Sequence, residues 1–291
     1  MIIAVGASSF SHQIQGHEVR LNPYGRKMTE DELIVHLRDA DGLLAGLEPL
    51  NERVFSACPT LKAIARIGIG MENVDIEAAA YRKIKVSNTP DAPTDAVAEM
   101  TLAAALTLAH RIVHANSDMH AGIWKKRMGF SLFGSTVLLI GYGRIGQRFA
   151  KMLEPFDINL LIYDPFYSKT STRPLEELLP QADIVSLHAS GNSIILGKDQ
   201  LALMRKPVII LNSARGGLVD EYALSRLLDE DSFYWADAFS EEPYLGILTE
   251  TSNAILTPHI STYTSQCRME MEAQAVANLL EDLRYVDGVI H

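Results

Sequence analysis

Cysteine is nearly absent from this chain: there are two among 291 residues, Cys58 and Cys267. Two cysteines build no disulfide framework and their spacing matches no zinc pattern, which favours a reducing compartment. Positive charge is also short, with Lys+Arg 26 against Asp+Glu 36 and a formal net charge of −10. Such a chain has no global electrostatic footprint for nucleic acid, and no nucleic-acid partner is expected. Long apolar runs are missing. The most apolar stretch, from Thr101 to Ala109, is stopped by His110 and Arg111, well short of the roughly 18 residues of a membrane span. The opening MIIAVGASSF lacks a basic n-region and reads as a β-strand rather than a signal peptide. Fixed-period repeats, low-complexity segments and a flexible linker are absent as well. What is present is 47% hydrophobic and 21% charged residues, ordinary for a folded protein. The length suits about two domains of roughly 150 residues each. A cytoplasmic protein without membrane contact is expected.

Short apolar runs alternate with longer amphipathic ones from end to end. Strands are expected over 2–5, 42–45, 63–67, 85–87, 137–140, 160–163, 184–187, 208–211, 233–236 and 254–256. Helices are expected over 30–38, 75–82, 96–114, 145–153, 222–228 and 265–285, the first opened by the capping-box pair Thr29 and Glu32. Alternation of this kind, with strands rich in Ile, Val and Leu, specifies an α/β fold of parallel sheets covered on both faces. The chain crosses between domains near Asn88-Thr89-Pro90-Asp91-Ala92-Pro93, where Pro93 suits a first helical turn, and again near Thr257-Pro258-His259. The last helix carries Met269, Ala273, Val276 and Leu280 on one face. If it returns to the first domain, the second is an insertion.

The run Thr136 to Ile140 leads straight into Gly141-Tyr142-Gly143-Arg144-Ile145-Gly146 and then a helical segment. This is G-x-G-x-x-G closing a strand and opening a helix. Gly141 permits the tight turn, Gly143 lets a pyrophosphate approach the backbone, and Gly146 lets helix pack on strand. Helix N-terminal N–H groups then face the phosphates. A second strand ends in Asp164, placed for both ribose hydroxyls of an adenosine and repelling a 2′-phosphate. NAD is therefore favoured over NADP, with Lys169 the one nearby reservation. The alternative is a tight strand–helix turn that holds no nucleotide.

Three polar groups stand just beyond strand ends: Arg215 in Asn212-Ser213-Ala214-Arg215, Glu242 in Asp237-Ala238-Phe239-Ser240-Glu241-Glu242, and His259 in Thr257-Pro258-His259. Carboxyl ends of strands in a doubly wound sheet converge on one crevice. Hydride transfer to a keto acid needs these parts: a guanidinium to clamp a carboxylate, an imidazolium to supply a proton, and a carboxylate to orient it. Taken singly, Arg215 also fits a surface ion pair, Glu242 a solvated loop acid, and His259 a hydrogen-bonded structural histidine. His110 and His114 share a helical spacing that can bind metal, but no partner ligand accompanies them and no metal site is expected.

In combination and order these motifs resemble the D-isomer-specific 2-hydroxyacid dehydrogenases, especially their phosphoglycerate-dehydrogenase-like branch. The resemblance implies a Rossmann NAD-binding domain over 92–262 inserted into a flavodoxin-like substrate domain made of 1–91 and 263–291. It also implies catalysis by Arg215, Glu242 and His259, with substrate contacts from Arg215, His259 and the backbone amides around Ile69 and Gly70. Cofactor contacts are implied for Gly141, Gly143, Arg144, Ile145, Gly146, Asp164, His188, Ala214, Asp237 and Thr94, with Thr94 and Asp237 near the nicotinamide. The partner is a small 2-hydroxy or 2-keto acid, and the assembly a homodimer built through the helix over 96–114. Relatives of this fold that act as NAD(H)-sensing corepressors give a second functional expectation, and a dehydrogenase of a non-keto-acid substrate a third.

The chain departs from the family in places. Ser190 stands where proline is usual, and Tyr234 and Trp235 where small residues precede Asp237. Tyr263 follows the histidine in a run of usually smaller residues. Gly46-Leu47-Glu48-Pro49-Leu50 carries no arginine where enzymes of phosphorylated substrates commonly place one, which disfavours 3-phosphoglycerate.

Overall fold

The computed structural model describes residues 1–167, 173–228, 231–286 and 288; Lys169 lies outside the described residues. The chain divides into two compact units, Met1–Pro93 with Tyr263–His291, and Thr94–Thr262. The sequence reading has its borders at 91/92 and 262/263.

The first unit contains β1 (Ile2–Val5), β2 (Glu18–Arg20), α1 (Glu30–His36), β3 (Gly42–Ala45), α2 (Glu52–Ala57), β4 (Ala63–Arg66), α3 (Ile76–Tyr81) and β5 (Lys85–Ser87). All strand pairs are parallel, in the order β2-β1-β3-β4-β5, with Ala4 opposite both Arg20 and Leu43. This is the flavodoxin-like order. Thr29 starts α1 through a complete capping box, a device that stabilises a helix by about 1 kcal/mol. Asn51 and Asp75 cap α2 and α3 by accepting N–H bonds from Val54 and Ala78.

The second unit contains α4 (Pro93–Ala109), α5 (Ile112–His120), β6 (Thr136–Ile140), α6 (Arg144–Leu153), β7 (Asn159–Tyr163), α7 (Leu175–Leu178), β8 (Ile184–Leu187), α8 (Lys198–Ala202), β9 (Ile209–Asn212), α9 (Glu221–Leu227), β10 (Phe233–Ala236) and β11 (Ala254–Leu256). Its sheet is also all parallel, in the order β11-β10-β9-β8-β6-β7. Alternate residues of each strand serve opposite faces. Leu138, Ile140, Val185, Ile210 and Tyr234 pack with Leu175, Leu178 and Leu224 on one side. Val137, Leu139, Leu211, Phe233 and Trp235 pack with Ala105, Phe149 and Leu153 on the other. The doubly wound α/β expectation is met in both units. The switch point of the second sheet falls between β6 and β8, whose carboxyl ends carry Gly141 and His188.

The chain closes with α10 (Ser265–Val286), which packs on β3, β4 and β5 of the first unit. Its buried stripe is only partly the one expected, Val276 being common to both. Met271, Ala275, Leu279 and Leu283 go down, whereas Met269 is 56% exposed. Both stripes are apolar enough in sequence, and contact with the sheet selects between them. One other expectation is corrected. The helix over 96–114 is two helices bent by 61°. Arg111 adopts φ 53, donates to Asp231 and lies over the Phe233 ring, while Phe130 N–H takes the Ala109 carbonyl. Tertiary partners thus end α4 inside a continuous helical pattern. β2 went unanticipated because its three residues carry little burial signal.

Candidate active site

Parallel strands deliver every expected cofactor and catalytic side chain of the second unit except Thr94, which is on α4, to one rim. Gly141 follows β6, Asp164 follows β7, His188 follows β8, Arg215 follows β9, Glu242 follows β10 and His259 follows β11. The turn after β6 needs its glycines. Gly141 has φ 95, and a Cβ there would meet Ala189 N at 2.6 Å; one on Gly146 would meet the Gly141 carbonyl oxygen at 2.4 Å. Gly143 is different: a Cβ would meet nothing within 4 Å, so this backbone is open to a ligand. It caps α6 without any side-chain bond, leaving first-turn N–H groups for an anion, with Arg144 and Ile145 as the first helical residues. Asp164 reaches back to the same turn, accepting N–H bonds from Tyr142 at 2.7 Å and Phe166 at 2.9 Å. Thr94, in the first turn of α4, has a buried hydroxyl with no hydrogen-bond partner among the described residues. An open glycine, an uncapped helix start and an orphaned hydroxyl together fit a dinucleotide.

Two expected cofactor residues also have partners within the protein. The His188 ring lies between two serine hydroxyls, Nε2 to Ser186 at 2.9 Å and Nδ1 to Ser213 at 3.1 Å, and burial lowers its pKa to about 3. Its backbone, not its neutral ring, is what lies against Gly141. Asp237 is 2% exposed. Its carboxylate accepts from Thr257 Oγ1 at 2.6 Å, Ile260 N at 2.9 Å and Ser261 N at 2.8 Å. It therefore holds the His259 loop. The reason is local: three donors of that loop converge on it, and a buried carboxylate without them would be costly.

His259 itself has φ 54, a left-handed backbone that costs a non-glycine residue about 1–2 kcal/mol. Its Nδ1 lies 3.1 Å from both oxygens of Glu242, and Glu242 also accepts the Phe239 N–H at 3.1 Å. A carboxylate on Nδ1 makes that nitrogen the N–H, so Nε2 is the one that exchanges a proton. The pair is open to solvent, with His259 47% and Glu242 35% exposed in their side chains. Arg215 begins a short turn after β9, and its guanidinium donates to the Ala214 carbonyl at 2.8 Å. Ala214 N–H is held by Asn212 Oδ1 at 3.1 Å. The sequence reading missed Asn212 and Thr257; a polar residue at a buried strand end was the available signal.

In the first unit, Ile69 and Gly70 follow β4, in a loop tied down by Thr89 Oγ1 accepting Gly68 N–H at 2.7 Å and Asn88 donating to the Ile69 carbonyl at 2.8 Å. Arg66 folds back to donate to the Ile67 carbonyl at 2.6 Å. Tyr263 is 67% exposed there, and Ser190 is exposed in the second unit.

A family model described as D-isomer specific 2-hydroxyacid dehydrogenase, NAD binding domain, matches residues 102–261. The chain belongs to the D-isomer specific 2-hydroxyacid dehydrogenase family. It is 34% identical over 286 residues to a glyoxylate reductase of Thermococcus kodakarensis, covering 90% of this chain and 86% of that one. With a D-3-phosphoglycerate dehydrogenase of Methanocaldococcus jannaschii it shares 37% identity over 259 residues, 83% of this chain and 49% of the longer relative. The crystal structure of a Thermus thermophilus protein superposes with a TM-score of 0.87 at 32% identity, covering 98% of this chain and 97% of that one. As a member of this family the protein is an NAD-dependent oxidoreductase. Family, fold and cofactor are as the sequence led one to expect.

Proposed function

We propose that this dehydrogenase interconverts a small 2-keto acid and its D-2-hydroxy acid, with His259 as general acid/base, Glu242 as its partner and Arg215 as the clamp on the substrate carboxylate. The His259–Glu242 pairing carries this reading, because reduction of a ketone must place a proton on O2 as well as a hydride on C2. NAD, when bound, donates or accepts the hydride. The first turn of α6 with Gly143 would hold its phosphates, Asp164 its adenosine ribose, and Thr94 and Ala214 its nicotinamide half. His259 Nε2 gives its proton to O2 during reduction, and Glu242 stabilises the imidazolium beforehand and takes no proton itself. In the reverse direction the same nitrogen removes the proton.

Small, unphosphorylated acids suit the reading best, in keeping with the glyoxylate reductases among the relatives. Where a phosphate-binding cation is expected, Glu48 is 1% exposed, accepts the Gly46 N–H at 2.8 Å, and has its carboxyl pushed up by burial. Charged or neutral, it adds no positive potential. The test is NADH consumption with glyoxylate, pyruvate, hydroxypyruvate and phosphonopyruvate. Turnover of at least one of the first three is expected. Tight NADH binding with no keto acid reduced would move the protein to the corepressor-like reading.

We further propose a homodimer through α5 and the loop after it. No residue of α5 is buried, and Ile112, Met119, Trp124 and Met128 are 53%, 55%, 83% and 86% exposed, large apolar side chains of the kind that mark interaction surfaces. Sedimentation equilibrium should give twice the chain mass, and Trp124→Glu with Met128→Glu should give the monomer.

A further inference from the structure

Two of the bulkiest core side chains of the second unit stand side by side on β10, Tyr234 and Trp235, each 1% exposed. As neighbours on a strand they point to opposite faces, Tyr234 into one apolar cluster and Trp235 into the other. Each brings one polar atom into those surroundings, and each atom is spent on a residue that shapes the loop of a different active-site group. We propose that Tyr234 and Trp235 are positioning residues, Tyr234 for Arg215 and Trp235 for His259. The proposal rests on the catalytic assignment of Arg215 and His259 made above.

On one face, the Tyr234 oxygen accepts a hydrogen bond from Asn212 Nδ2 at 3.2 Å. Asn212 ends β9 and is fully buried. The same Nδ2 donates to the Arg215 carbonyl at 2.9 Å, while Oδ1 accepts the Ala214 N–H. One amide thus closes the turn that presents Arg215, and the phenol holds the amide's second hydrogen. Burial raises the Tyr234 pKa, so the phenol stays neutral.

On the other face, Trp235 Nε1 donates to Thr257 Oγ1 at 3.1 Å. An indole N–H only donates, so the threonine oxygen accepts, and its own hydrogen goes to Asp237 Oδ1 at 2.6 Å, a nearer and charged acceptor than the Ala236 carbonyl at 3.2 Å. Asp237 grips the N–H groups of Ile260 and Ser261. Thr257 and these two residues bracket His259, so both sides of its left-handed backbone are tied to one buried carboxylate. Rotation of that loop would move Nε2 off the substrate oxygen.

Packing alone makes a different prediction, since the near-isosteric Tyr234→Phe and Thr257→Val would then serve as well. The experiment compares Tyr234→Phe, Trp235→Phe and Thr257→Val by steady-state kinetics with the best keto acid, NADH binding and thermal melting. Thr257→Val cuts the Trp235–Asp237 link without touching the indole and keeps the test open if Trp235→Phe fails to fold. Tyr234→Phe should raise the keto-acid KM about 10-fold with kcat changed less than about 3-fold. Thr257→Val and Trp235→Phe should lower kcat about 10-fold with KM changed less than about 3-fold. NADH affinity, carried mainly by the glycine turn and α6, should change less than about 3-fold in any of them. The two effects should multiply in the Tyr234→Phe/Thr257→Val double variant, because the two relays share no partner. Wild-type kcat and KM in Tyr234→Phe and Thr257→Val, with only the melting temperature lowered, would overturn the proposal. His259→Ala and Arg215→Leu are run beside them: if those keep wild-type turnover, it is the catalytic assignment that fails.

Discussion

Replacing His259 with alanine should lower kcat by about 10²–10⁴-fold, the range for a lost general acid/base, while NADH binds as before. The split follows from placement. The dinucleotide-binding features are the glycine turn, α6 and Asp164, which follow β6 and β7, whereas His259 follows β11 at the far edge of the sheet. His259→Ala also keeps the three N–H and O–H bonds to Asp237, because these come from Thr257, Ile260 and Ser261. Alanine at φ 54 meets the same Cβ crowding as histidine and gives up only histidine's modest preference for this region, so folding should survive and the loss should be chemical. Stopped-flow NADH binding beside steady-state kinetics separates the two. A variant that turns over like the wild type would remove the general acid/base from the mechanism.

Arg215→Leu should cost about 10³-fold in kcat/KM for the keto acid, from loss of charge-assisted bonds to the substrate carboxylate and of polarisation at the carbonyl. Arg215→Lys should recover only part of this, since an ammonium keeps the charge but not the planar fork. In the structure the guanidinium bonds to the Ala214 carbonyl, and Ala214 N–H is fixed by Asn212, so the residue rests on a braced turn. Leucine leaves Asn212 with both backbone bonds. A melting temperature near that of the wild type is therefore expected alongside the kinetic loss. A KM and kcat unchanged in Arg215→Leu would mean that the substrate carboxylate is held elsewhere.

Much of the site was legible because its residues follow strand ends, where a short apolar run and the residues after it lie together in sequence. Gly141, Asp164, Arg215, Glu242 and His259 were all singled out that way. What escaped was decided between segments far apart in the chain. Asp237 was singled out for the nicotinamide, but its three donors come from the loop after β11, some twenty residues on. The His188 ring is claimed by Ser186 and Ser213 across β8 and β9. Tyr234 and Trp235 stood out as departures from the family, yet only their partners Asn212 and Thr257 give the departure a purpose. The same holds for the fold. Periodicity placed the strands, but the break at Arg111 needs Asp231 and Phe233, and the buried stripe of α10 needs the sheet beneath it.

The account stands on proton and hydride moving together at C2 and O2 of a 2-keto acid. Its most direct test is spectrophotometric NADH consumption with glyoxylate, pyruvate and hydroxypyruvate, followed side by side in the wild type and in His259→Ala. The account predicts NADH loss matched by formation of the 2-hydroxy acid in the wild type and nearly abolished in the variant. A wild type that binds NADH but oxidises it with none of these acids, or a variant as fast as the wild type, would contradict it.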